Sequence, residues 1–227
     1  MICAAGASRR MAPDDKLMLP VQGRPLLRHL VKRVLQLSAP TLVILPPEPH
    51  PRWQAVKDLP LRKISYPESA EGLSGTLRAA VADLPRAVTH LCVVLADLPS
   101  LEPVDFSQLF EQRRRHPNHL IWRPLSPDGQ PAHPTLFHRD TFSAFAEISG
   151  DVGAKPVIDT FKLALHEFIS SRQGGSHDID TQQDYETDLE PQAWAQRSRP
   201  PRSRFAHTSR RKNHAHRHQD HSKNFQR

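Results

Sequence analysis

The sequence predicts an α/β protein with a doubly wound, mostly parallel sheet in a three-layer α/β/α sandwich, and three observations carry that expectation. Residues 41–45 and 90–95 are short, continuous apolar runs, as expected of parallel strands covered on both faces. Segments with helical spacing of apolar residues lie between such runs, so strands and helices alternate from residue 1 to about 188. The run at 90–95 ends in Ala96-Asp97-Leu98-Pro99, which puts a carboxylate at the carboxyl end of a central strand, where open α/β sheets bind ligands. Taken alone, Asp97 fits capping of the next helix equally well.

The first strand is short. Met1, Ile2 and Cys3 lead into Ala4-Ala5-Gly6-Ala7-Ser8-Arg9-Arg10-Met11, and Asp15-Lys16-Leu17 follows. Small residues at Ala5, Gly6 and Ser8 let backbone N–H groups approach a phosphate chain, and Arg10 and Lys16 add neutralising charge. The spacing matches neither the Walker loop nor the dinucleotide glycine motif. Residues 24–37 gather Leu26, Leu27, Leu30, Val31 and Val34 on one helical face and leave Arg28, Lys32 and Arg33 outside. A short helix near 53–59 and a strand near 63–66 follow the strand at 41–45.

Glu71-Gly72-Leu73-Ser74-Gly75-Thr76 opens a helix reaching about Leu84. Its small, hydroxyl-rich start, with Gly72 and Ser74, suits either an ordinary cap or an anion or base held by backbone groups. A helix over 103–116 ends in Arg113-Arg114-Arg115, read as solvated cations complementing the helix dipole rather than a substrate clamp. A strand over 119–122, a Pro- and Gly-containing loop over 124–134 and a strand over 163–169 continue the pattern. In His177-Asp178-Ile179-Asp180-Thr181, strand spacing puts both carboxylates on one side, and Thr181 with Asp184 forms a capping box for a short helix.

The chain of 227 residues is long enough to bury a sizeable core without disulfides. It has no run of 18 apolar residues and no signal-peptide pattern, so membrane insertion and export are not expected. Cys3 and Cys92 both sit in strand-like runs and are read as reduced core thiols of a cytoplasmic protein. The net charge of +7 raises the question of a nucleic-acid partner, and its distribution answers it. Residues 191–227 hold ten Lys and Arg against Asp220 alone, leaving 21 basic and 23 acidic residues in 1–190. The domain is therefore 1–190, nucleic acid is not expected as its partner, and 191–227 reads as a disordered basic tail rich in His and Arg.

The opening motif A-A-G-x-S-x-R-M, then K-L, then P-x-x-G-x-P-L-L resembles the start of the MobA-like NTP transferase family. It is carried by Ala4, Ala5, Gly6, Ser8, Arg10, Met11, Lys16, Leu17, Pro20, Gly23, Pro25, Leu26 and Leu27. Within that family it is most similar to the molybdenum cofactor cytidylyltransferases. Ala12 and Ala132 replace family glycines, Gly75 stands where Ser is common, and the family has more residues before Ala-Ala-Gly. A shortened first strand, or a start site further upstream, is expected from the last difference.

The resemblance implies a nucleotide-diphospho-sugar transferase-like fold and transfer of a nucleoside monophosphate, CMP from CTP, onto molybdopterin. Arg10, Lys16 and Asp97 would be catalytic; Ala5, Gly6, Ser8, Gly72 and Ser74 would join Arg10 and Lys16 in nucleotide binding. Asp97 and Asp180 would hold Mg²⁺, with Asp178 competing for the second place. His133, Pro134, Asp151, Gly153 and Lys155 would face the acceptor. The implied partners are these small-molecule substrates and a molybdoenzyme that receives the product. Two other readings stand beside it: transfer to another phosphorylated acceptor such as a sugar phosphate, and a non-catalytic nucleotide-binding or cofactor-escort module.

Overall fold

A computed structural model describes residues 1–8, 11–67 and 71–189 of the chain. The tail expected from residue 191 onward, and Arg10 of the opening loop, lie outside the described residues.

The chain begins with β1 (Ile2–Cys3), then a 3₁₀ turn (Lys16–Met18) and a two-stranded ribbon of β2 (Pro20–Val21) and β3 (Arg24–Pro25). Next come α1 (Leu26–Leu35), β4 (Leu42–Leu45), α2 (Pro51–Val56), β5 (Arg62–Ser65), α3 (Leu73–Ala82) and β6 (His90–Leu95). The second half holds α4 (Pro103–Arg115), β7 (Ile121–Leu125), β8 (Thr135–His138), a 3₁₀ helix (Arg139–Glu147) and α5 (Lys155–Thr160). A 3₁₀ turn (Lys162–Ala164), β9 (Leu165–Ile169) and α6 (Gln182–Leu189) complete it.

Seven strands form one sheet in the order β5-β4-β1-β6-β8-β7-β9. Only β8 runs antiparallel to both of its neighbours, so the sheet is mostly parallel, as the apolar runs predict. The chain passes from β1 outward to β4, then returns to lay β6 on the other side of β1. The carboxyl ends of β1 and β6 therefore flank the point where strand order reverses, and ligands of such sheets bind there.

Alternation along the central strands divides the core. Ile2, Val43, Leu45 and Val94 face α1, α2 and α4, while Cys3, Ile44, Leu91 and Val93 face α3, α5 and the 3₁₀ helix. α1 buries Leu26, Leu27, Leu30, Val31 and Val34, the stripe its spacing predicts. At about 1.5–3 kcal/mol per buried aliphatic side chain, that stripe outweighs the absence of a side-chain cap at its start. Both cysteines are free thiols, and burial pushes Cys3 up to about 12 and Cys92 up to about 11.

Three expectations change. β7 runs on through Pro124 instead of ending at 122; Pro124 lacks an N–H, and its carbonyl accepts the Ala132 N–H (2.9 Å). The segment Thr135–His138, not foreseen as a strand, inserts between β6 and β7. Residues 177–181 belong to no sheet ladder: they form an extended strap, with Ile179 fully buried and its N–H donated to the Asp97 carbonyl (3.0 Å). The capping box after it does form, with Asp184 N–H on Thr181 Oγ1 (3.1 Å) and Thr181 N–H on Asp184 Oδ2 (2.7 Å).

Candidate active site

Leaving β1, the chain passes the small residues Ala4 to Ala7 and turns at Ser8, which has φ 49. This loop is held from beneath by Arg52, near the start of α2 and only 2% exposed. Pro51 opens α2, and His50 Nδ1 accepts the Arg52 N–H, which fixes where the side chain leaves the helix. Arg52 Nη1 donates to the carbonyls of Ala4 (2.8 Å) and Gly6 (2.7 Å), and Nη2 donates to Ser8 Oγ (3.0 Å) and Asp15 Oδ1 (2.6 Å). Nε donates to Asp15 Oδ2 (2.8 Å), so all five guanidinium N–H groups are used.

Asp15 passes this order on to Lys16. Its Oδ1 accepts the Leu17 N–H (3.0 Å) and caps the 3₁₀ turn that presents the lysine. Lys16 Nζ then donates to Asp97 Oδ2 at 2.6 Å and to Asp180 Oδ1 at 3.0 Å. Burial on its own would lower the Lys16 pKa, but the Asp97 and Asp180 carboxylates raise it above the ordinary lysine value, so it stays an ammonium. The N-terminal loop and the carboxylate after β6 thus meet in one cleft across 81 residues of sequence.

That cleft has a volume of about 430 Å³ and is lined by Ala5, Gly6, Ser8, Lys16, Gly72, Asp97, Asp151 and Asp180 among the expected positions. Glu71, Leu73 and Thr76 also line it. Ser74 is fully buried behind the wall, its N–H on the Gly150 carbonyl (3.2 Å). His133, Pro134, Gly153 and Lys155 do not reach the wall either. His133 is held by the Val93 backbone; burial lowers its pKa although Asp97 is near enough to oppose the shift. Lys155 is exposed and pairs with Asp159 (2.9 Å) within α5.

The segment that carries Asp151 packs directly on the start of α3. Asp151 Oδ1 accepts the Leu73 N–H (3.0 Å) and supplies the cap that Gly72 lacks. Gly72 has φ 97, and a Cβ there would fall 2.8 Å from Asp151 Oδ1, so glycine is required on both counts.

Asp97, Asp178 and Asp180 each bring one carboxylate oxygen within 4.8 Å of the other two. The strap has no ladder pairing, and Asp178 and Asp180 both come near Asp97. Asp97 Oδ1 is buried and has no hydrogen-bond partner among the described residues. Asp178 is open to solvent by area, yet partial desolvation of its carboxylate, followed by the Asp97 charge, raises its pKa. Hard oxygen donors, one of them buried without a partner, fit Mg²⁺ or Mn²⁺ rather than a thiol- or imidazole-seeking metal.

A family model described as the MobA-like NTP transferase domain matches residues 1–167. The chain belongs to this family. The MobA-like domain is also 29% identical over 125 residues to the bifunctional protein GlmU of Legionella pneumophila (strain Lens). That match takes in 53% of this chain and only 26% of GlmU, so the chain spans about a quarter of that relative. Among solved structures, Rv0371c from Mycobacterium tuberculosis H37Rv aligns with a TM-score of 0.72 at 23% identity, over 83% of this chain and 95% of that one. Its complex with manganese gives 0.69 at 22% identity, over 84% and 96%. A CMP:2-keto-3-deoxy-manno-octonic acid synthetase complexed with CTP gives 0.62 at 15% identity, over 82% and 93%. At these identities the solved structures speak for the fold, which is that of nucleotidyltransferases.

Arg52 carries no sequence signal of its role. It is one charged residue in a six-residue helix, and its loop partners lie 37 to 48 positions away.

Proposed function

We propose that this MobA-like domain moves CMP from CTP onto a phosphorylated acceptor, with molybdopterin as first candidate, and releases pyrophosphate. The observation that carries the reading is Lys16, bridging Asp97 and Asp180 in a cleft walled by a small-residue loop. An acceptor phosphate oxygen attacks the α-phosphorus, the bond from that phosphorus to the bridging oxygen of the β-phosphate breaks, and the electron pair leaves with pyrophosphate. No side chain has to act as nucleophile, so positioning and charge neutralisation are the protein's contribution.

Lys16, joined by Arg10 from the same loop, neutralises the triphosphate and the departing pyrophosphate. Arg52 holds the Ala4 and Gly6 carbonyls and so keeps the loop backbone in place for the phosphate chain. Asp97 and Asp180, with Asp178 beside them, would hold a divalent cation, which supplies electrostatic stabilisation of phosphate oxygens when bound. Mg²⁺ is the ion proposed, and the manganese complex of Rv0371c supports a hard divalent cation. Ala5 lines the cleft where, by the family resemblance, Ala-Ala-Gly accompanies CTP because the extra side chain crowds a larger purine. The CTP-bound synthetase with the same fold also supports CTP. The acceptor is proposed to enter along Asp151, which lines the cleft, with His133, Pro134, Gly153 and Lys155 proposed on its path by the family resemblance. The setting proposed is cytoplasmic, with a molybdoenzyme receiving the product; no helix of the described residues is long and apolar enough to cross a membrane.

Pyrophosphate release measured with each NTP and with molybdopterin or a sugar phosphate tests the proposal. Turnover with molybdopterin and CTP is expected. Turnover only with a sugar phosphate would move the acceptor class, and CTP binding without release in any combination would leave an escort module.

A further inference from the structure

We propose that Glu71 selects the base: one oxygen of its carboxylate accepts the 4-amino group of cytosine and so favours CTP over UTP. This inference rests on the nucleotidyl-transfer reading and deepens it. The cleft lining divides by chemistry. Lys16 donates to both Asp97 and Asp180, and the three form its charged part. Ala4, Ala5, Leu73 and Thr76 give a mostly apolar surface of the kind a planar base packs against, and Glu71 lines the cleft with them. Asp151, a further carboxylate of the lining, is committed to capping α3.

The two Glu71 oxygens are not equivalent. Oε2 accepts the Tyr66 hydroxyl (2.9 Å) and Arg78 Nη2 (2.6 Å), which fills its two lone pairs. Oε1 accepts no hydrogen bond among the described residues. Arg78 is itself anchored, donating Nη1 to the Ile148 carbonyl (2.7 Å), so the carboxylate plane is set from outside the cleft. The Arg78 and Tyr66 hydrogen bonds also hold the Glu71 pKa below its ordinary value, keeping it an acceptor only. This cluster exists because position 75 has no side chain: a Cβ on Gly75 would stand 2.2 Å from the Tyr66 hydroxyl oxygen and 2.5 Å from Glu71 Oε2.

A single accepting oxygen matches a single N–H donor. Cytosine offers its 4-amino group, whereas uracil presents a carbonyl at that place, which a carboxylate repels. Guanine offers adjacent N1–H and N2–H donors that call for both oxygens, one of which is already filled. Adenine has an amine like that of cytosine on a larger ring.

The test is calorimetric titration of the full-length protein with non-hydrolysable α,β-methylene analogues of CTP, UTP and ATP in the presence of Mn²⁺, with pyrophosphate as a base-free control. Wild type is expected to bind the CTP analogue at least about tenfold more tightly than the UTP analogue, as loss of one charge-assisted hydrogen bond implies. Glu71→Gln is expected to bring the two within about threefold, because its amide can donate to the uracil carbonyl. Pyrophosphate affinity should stay unchanged in that variant, which shows that the phosphate end is intact. A Glu71→Gln variant that keeps the wild-type ratio, or a wild type that does not discriminate, overturns the inference and leaves the transfer reading standing. Failure of the folded protein to bind any of the analogues overturns the transfer reading itself.

Discussion

Removing the Arg52 guanidinium is the sharpest test of how the loop is held. In Arg52→Met the aliphatic stem remains, but Asp15 keeps only the Leu17 N–H and the Ser8 hydroxyl, and the Ala4 and Gly6 carbonyls lose their side-chain donor. Arg52 is 2% and Asp15 22% exposed, so the pair is largely shielded from solvent. Breaking one side of a buried ion pair costs about 3–5 kcal/mol. Gly6 borders the open cleft, where water can replace part of what is lost, so about 3–4 kcal/mol is expected. With an m-value of roughly 2 kcal/mol/M, the urea midpoint should fall by about 1.5–2 M. Arg52→Lys keeps the charge but offers three donors for five contacts, and should lose about half as much. A double-mutant cycle with Asp15→Asn should return a coupling of about 2–3 kcal/mol. A midpoint for Arg52→Lys within about 0.2 M of wild type, together with unchanged CTP binding, would refute the idea that the guanidinium organises the loop.

Asp97→Asn should abolish metal-dependent pyrophosphate release while leaving the far-ultraviolet spectrum close to wild type; full activity would remove Asp97 from the site. Gly175→Ala places a Cβ 1.8 Å from the His133 carbonyl oxygen, two residues before the strap that bears Asp178 and Asp180. It should cost about 1–3 kcal/mol, read from urea midpoints, and weaken Mn²⁺ binding. Burial, then neighbouring arginines, lowers His29 and His90 from 6.5 to about 4. The folded protein therefore resists protons that the unfolded chain takes up, so stability is fully present above pH 6.5 and falls as pH drops toward 4. Each ring is partly exposed, so the loss is on the order of 1 kcal/mol per histidine after solvent screening; His29→Gln should flatten part of the slope in urea midpoints taken from pH 7.5 to 5. Removing residues 191–227 should leave kcat unchanged in the pyrophosphate-release assay, and a large drop would give the tail a part in turnover.

What was legible in the sequence is what local pattern determines. α1 announces itself by a stripe of five apolar residues, β4 and β6 by unbroken apolar runs, and Asp97 by its place after the second of these. Lys16 and Asp97 meet as the opening motif implies, since parallel β1 and β6 deliver both to one end of the sheet. β8 escaped notice because it is four residues long, follows Pro131 and Pro134 closely, and is defined by pairing with β6 and β7 rather than by its own pattern. The strap at 177–181 looks like a strand because Ile179 is buried between two carboxylates, yet its N–H goes to the Asp97 carbonyl rather than a ladder. Ser74 and Lys155 sit in motifs that approach the cleft, but helix phase turns Ser74 inward and Lys155 lies on the surface of α5. Such orientations depend on tertiary neighbours, which spacing along the chain does not encode.

The cap on α3 has a consequence for how the molecule is assembled. Its donor at Leu73 waits for an acceptor 78 residues further along the chain, so a growing polypeptide can have β1, β4, β5 and β6 in place and still hold an unfinished helix start. Long-range closures of this kind are late and slow steps, because the intervening loop must lose its freedom before the contact forms. The wall of the cleft at the start of α3 is therefore completed only after residue 151 has been synthesised and docked, and a nascent chain shorter than that should fold part of its sheet before this wall is in place.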